Sequence, residues 1–71
     1  MTKDQTKRKI IKDFELMKSF ELSAKDLYAK IASDPRVKDQ GVKNAFNKLS
    51  QDEQRHAGLV QEIIDLVNGA L

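Results

Sequence analysis

Residues 46–60, FNKLSQDEQRHAGLV, decide how the chain folds. Phe46, Leu49, Glu53, His56 and Val60 follow one another at steps of 3, 4, 3 and 4, so all five fall along one line of an α-helix. Two positions on this otherwise apolar line carry a carboxylate and an imidazole. Outward from the stretch, the same alternation runs back to Val42 and on to Ile63 and Val67, while Ala45, Ala57 and Ile64 widen the stripe. Gly69, just past the last periodic residue, is the usual stop signal.

The first half of the chain repeats the pattern. Ile10, Phe14, Met17, Glu21, Ala24, Tyr28 and Ile31 keep heptad spacing, again with one carboxylate in the middle. Leu16, Phe20 and Leu27, with Ile11, widen this stripe beyond a two-stranded seam and suit a four-helix bundle; Lys12, Lys18, Lys25 and Lys30 take other faces. Pro35 ends the first helix at or before Asp34. Asp34 or Asp39 can cap the second, and Asp39 is favoured. The spacing predicts helix 1 over about residues 5–33, a turn over 34–38 and helix 2 over about 39–68. Helices of roughly 40 Å joined by so short a connection lie antiparallel.

The chain has 71 residues, enough for one small domain spanning 1–71. It lacks Cys, so neither disulfides nor thiolate metal sites enter the argument. With 39% hydrophobic and 34% charged residues it reads as an amphipathic folded chain, too small to cover two wide stripes without a second copy. The expected assembly is a homodimer or a higher even-numbered oligomer. No apolar run reaches membrane-spanning length, and none follows the basic amino terminus, so the expected location is the cytoplasm or a compartment within it. Residues 1–12 carry Lys3, Lys7, Arg8, Lys9 and Lys12 against Asp4, whereas the rest of the chain is slightly acidic. A basic terminus without basic residues and aromatics gathered on a folded face argues against nucleic-acid binding. The segment reads equally as a disordered tail, a helix extension or a docking segment.

The polar seam positions carry the functional argument. Glu21 lies 16 residues before Val37 and Glu53 lies 16 after it, so closing the hairpin brings both carboxylates to one level. His56, three residues after Glu53, shares their face. Carboxylates confined in such an interior are costly unless neutralised, and a single imidazole cannot neutralise two. Divalent cations can. Three ligands per hairpin fall short of the five or six that iron and manganese take, and a two-fold axis through this layer doubles the set to four Glu and two His. Asp52, Glu15 and Glu62 lie off the seam and read as solvated charges. Tyr28, two turns after Glu21 on the same seam, leans towards the metal layer and reads as a hydrogen-bond partner of a ligand carboxylate. Met17, Phe20, Ala24 and Leu49 read as the apolar wall.

These residues resemble the ferritin-like superfamily. The stretch from Glu21 through Tyr28 to Ala32 resembles the first ligand helix of rubrerythrins, and that from Phe46 through Glu53 and His56 to Ala57 resembles the second. The likeness extends over about residues 14–66 and is nearest to half-length, two-helix members, some of them cargo of encapsulin shells. It implies an all-α fold in which the hairpin dimerises into a ferritin-like four-helix bundle. It further implies two iron ions per dimer, with manganese or zinc as alternatives, held by Glu21, Glu53 and His56, and a role for Tyr28 beside them. The implied activity is that of a non-haem diiron oxidoreductase, oxidising ferrous iron with oxygen or peroxide. The four-cysteine electron-transfer domain of rubrerythrins has no counterpart here, so an electron donor would be another protein, and a protein shell is a further implied partner. Two readings compete: a metal-binding or storage-accessory protein without turnover, and a structural hairpin adaptor.

Overall fold

A computed structural model describes residues 2–71 as two helices and the turn between them. Helix α1 spans Lys3–Ser33 and α2 spans Gln40–Ala70. The first helix starts two residues earlier than its apolar spacing requires because Thr2 and Gln5 form a capping box. The Thr2 hydroxyl accepts from the Gln5 amide at 3.1 Å, and the Thr2 amide donates to the Gln5 side chain at 2.9 Å. Among the readings open for the basic segment, its described part is a helix extension.

The helix ends follow from their capping residues. Asp34, held in an extended conformation before Pro35, is the C-cap of α1, and Asp39 caps α2 by accepting from the Val42 amide at 2.9 Å. Within the turn, the Asp34 carboxylate accepts from the Arg36 guanidinium at 2.6–3.2 Å and from its amide at 2.9 Å. These bonds, the guanidinium first, hold the Asp34 carboxyl below its ordinary value.

The helices lie against each other in an antiparallel hairpin measuring 54 × 14 × 11 Å. The radius of gyration is 16.3 Å, against about 11 Å for a compact globule of this length. Register follows the seam. Tyr28 packs on Phe46 with ring centroids 6.1 Å apart, and the Ser50 hydroxyl donates to the Lys25 carbonyl at 3.0 Å across the helix pair. Farther along, Lys18 donates to Gln61 at 2.7 Å and Gln61 to Asp65 at 2.9 Å.

The two flanks of the seam have different fates. Taking alternate seam residues, the positions just after them are Ile11, Lys18, Lys25 and Ala32 on α1 and Lys43, Ser50, Ala57 and Ile64 on α2. None of these eight is exposed, and Ala32, Ser50, Ala57 and Ile64 are buried. This flank is the contact between the helices. The positions just before the intervening seam residues form the other flank: Asp13, Phe20 and Leu27 on α1, and Ala45, Asp52, Leu59 and Leu66 on α2. All but Asp52 are exposed, with Phe20 at 67% and Leu66 at 69%. Because the helices run in opposite directions, these exposed flanks lie on the same side of the hairpin. The accessible surface of 5340 Å² exceeds the roughly 4,500 Å² of a compact monomer of this mass.

Gly58 sits in the middle of α2 with nothing within 4 Å of where a Cβ would stand. Since Gly in a helix interior costs about 1 kcal/mol relative to Ala, Gly58→Ala should raise the melting temperature by roughly 4–8 °C at fixed protein concentration. An unchanged or lower value by thermal circular dichroism would contradict this placement.

Candidate metal centre

Glu21 projects from α1, and Glu53 and His56 project from α2 one helical turn apart. The antiparallel register therefore places both glutamates at one level, as the equal spacing about Val37 requires. One donor atom from each of the three residues lies within 4.8 Å of the other two. His56 Nδ1 is 3.7 Å from Glu21 Oε2 and 4.0 Å from Glu53 Oε2. The opposite ring nitrogen, Nε2, points outward and lies 3.5 Å from the Arg55 guanidinium.

The cluster is half-buried. The glutamate side chains retain 24% and 20% exposure and His56 44%. Glu53 has its carboxyl pushed above the ordinary value, chiefly by its hydrogen bond with Glu21 and further by partial burial and the Glu21 charge. His56 opposes the shift, and Asp52 adds to it. Glu53 thus favours its protonated form more than a free carboxyl group does when no cation is present.

The donor set fits a transition-metal cation. Donors sharing one ion at bond lengths near 2.1 Å stand no more than about 4.2 Å apart, a condition that the two histidine–glutamate separations of 3.7 and 4.0 Å already meet. Two carboxylate oxygens and an imidazole nitrogen suit iron, manganese and zinc, whereas an all-oxygen cage would suit calcium or magnesium. A bound cation would displace the proton that Glu53 favours. The sequence places all three residues, and the structure brings them together as one potential metal-binding cluster.

Tyr28 occupies the next aromatic layer towards the turn, against Phe46, and its hydroxyl makes no hydrogen bond to Glu21 or Glu53 among the described residues. Met17, Phe20 and Leu49, expected as an apolar wall, are 44%, 67% and 41% exposed in the single hairpin, and Ala24 is half-buried. Glu62 is a surface charge beside Asp65 and Leu66 in an open recess. Sequence reasoning missed the Ser50 hydroxyl on the Lys25 carbonyl. Its signal was a lone Ser on a line with Ala57 and Ile64. Among the described residues no helix is long and apolar enough to cross a membrane. No protein-family model, curated protein or solved structure matches the chain.

Proposed function

We propose that this chain is a non-haem diiron oxidoreductase of ferritin-like type, oxidising ferrous iron with oxygen or peroxide at a dinuclear site completed by a second copy. The observation that carries this reading is the convergence of Glu21, Glu53 and His56 within 4.8 Å, half-buried in a hairpin that leaves an apolar flank uncovered. A second hairpin covering that side would add three further donors and bury Met17, Phe20, Leu27, Leu49 and Leu59. The surface in excess of a compact monomer is of the order of the 800 Å² that each partner contributes to a standard interface.

Within this reading, Glu21, Glu53 and His56 of each chain would hold the two cations, with Tyr28 in the aromatic layer beside them. Each pair of ferrous ions oxidised supplies two electrons, sufficient to reduce peroxide to water or oxygen to peroxide. The chain's own residues hold the ions at one level, release the Glu53 proton as they bind, and exclude bulk water through the covered apolar side. Manganese or zinc would occupy the same donors without iron oxidation. These 71 residues carry no cysteine cluster, so electrons would reach the site from outside them, and an enclosing protein shell would be a further partner.

The test is anaerobic titration with ferrous ion, metal analysis, then exposure to air or peroxide under optical monitoring. Two irons per dimer that convert to ferric with near-ultraviolet absorption are the expected result. Bound iron that stays ferrous would favour the storage-accessory reading, and absence of binding would favour the structural hairpin.

A further inference from the structure

Met17 lies four residues before Glu21 on the seam of α1, one helical turn away on the same face, where Cβ atoms stand about 5–6 Å apart. It also stands beside His56. The pairing of levels about Val37 that sets Glu21 against Glu53 sets His56 against Lys18, one residue from Met17, so Met17 and His56 occupy the same end of the cluster. The Tyr28–Phe46 contact at 6.1 Å obeys that pairing. With 44% of its surface exposed, Met17 presents its thioether rather than hiding it in the contact between the helices.

The other seam residues within one turn of the three donors, Ala24, Leu49 and Val60, are aliphatic and inert to peroxide. A thioether is not. Its sulfur lone pair attacks one oxygen of hydrogen peroxide: the S–O bond forms as the O–O bond breaks, and sulfur gives up two electrons. The departing hydroxide takes the proton from the transferred oxygen, so the products are sulfoxide and water. Hydrogen peroxide belongs to the proposed activity, either as the oxidant supplied or as the product when a pair of ferrous ions reduces oxygen. The sulfoxide replaces a flexible apolar side chain with a polar one. Met17 lies between Phe14 and Phe20 on the stripe that a second copy would cover, where a polar oxygen opposes burial.

We infer that Met17 is an oxidation site of this chain: hydrogen peroxide at the metal cluster converts its thioether to the sulfoxide, and the polar oxygen weakens the association of the two copies. The inference rests on the shared-site reading and adds a modification that limits the site's own working life.

Peptide mass spectrometry reads the modification independently of activity. Lys38→Met, in the exposed turn and remote from the cluster, supplies a reporter thioether in the same full-length chain. After anaerobic loading with ferrous ion and exposure to air, Met17 should gain one oxygen atom roughly tenfold faster than the reporter, because peroxide arises beside it. Catalase in solution should suppress oxidation of the reporter and spare that of Met17. Zinc-loaded protein given bulk peroxide should lose the preference for Met17. Sedimentation of the oxidised protein, without the reporter, should show a dimer dissociation constant raised several-fold, and Met17→Leu should keep its association through the same treatment. Ferric iron without preferential oxidation of Met17, or oxidation without weaker association, overturns the inference and leaves the shared site standing. A chain that binds no iron overturns both.

Discussion

Glu53→Ala is expected to bind no iron, manganese or zinc while keeping its two helices. Removing it leaves each chain one carboxylate and one imidazole, and each proposed dimer loses two of its six donors, so loss of binding should be complete. The helices persist because the residues buried between them are Ala32, Ser50, Ala57, Val60 and Ile64, none of which the substitution touches. The metal-free variant should melt at or above the metal-free parent. In the parent, Glu53 is partly desolvated and sits beside the Glu21 charge, both of which disfavour its ionised form. Equilibrium dialysis with metal analysis, beside circular dichroism melts, provides the check. Retention of two metal ions per dimer would show that the ligands are other residues.

The second large effect is the dependence of metal-free and metal-loaded stability on pH. Glu53 has its folded-state carboxyl raised above the ordinary value of 4.5. Between that value and the raised one, the folded chain binds more protons than the unfolded chain, so ∂ΔG of unfolding with pH is negative. The contribution is fully present below 4.5 and is lost as pH rises through the raised value. Asp34 acts in the opposite sense. Its carboxyl is lowered from 3.8 by the Arg36 bonds, so its contribution is present above 3.8 and fades as pH falls through the depressed value.

A difference measurement isolates Glu53. Glu53→Gln leaves the Asp34–Arg36 pair intact and should flatten the decline of metal-free stability above pH 4.5. Divalent metal binds the folded form and should raise the melting temperature of the parent strongly at pH 7. Near pH 4 protons compete for the carboxylate oxygens and the imidazole nitrogen, and the metal effect should largely vanish. Melts at several pH values, with and without anaerobic ferrous or manganous ion, decide the matter. A metal-induced rise as large at pH 4 as at pH 7, or absent at both, would contradict a site made of Glu21, Glu53 and His56.

The site was legible in the sequence because its ingredients are local. Helical periodicity puts Glu53 and His56 on one line, and a turn marked by Pro35 and Asp39 fixes the level at which Glu21 meets them. The same arithmetic pairs Tyr28 with Phe46, which the structure places 6.1 Å apart. The reach of the Tyr28 hydroxyl was less legible, because two turns of helix and a neighbouring ring govern where the phenol points. The capping box also escaped a reading built on apolar spacing, since Thr2 and Gln5 act through side-chain bonds to backbone amides.

By itself the sequence determined two helices, their antiparallel register and the three donors at one level, all of which follow from spacing along the chain. Tertiary structure alone decided which flank of the seam is consumed inside the hairpin. Positions just before and just after a seam residue are equally close to it, and composition does not distinguish them. Phe20 and Leu27 are more apolar than Lys18 and Lys25, yet the lysine-bearing flank turns inward. The sense in which the turn swings α2 around α1 makes that choice. The half-buried Lys18 and Lys25 lie on the flank between the helices, Ser50 satisfies itself on the Lys25 carbonyl, and the apolar flank stays exposed.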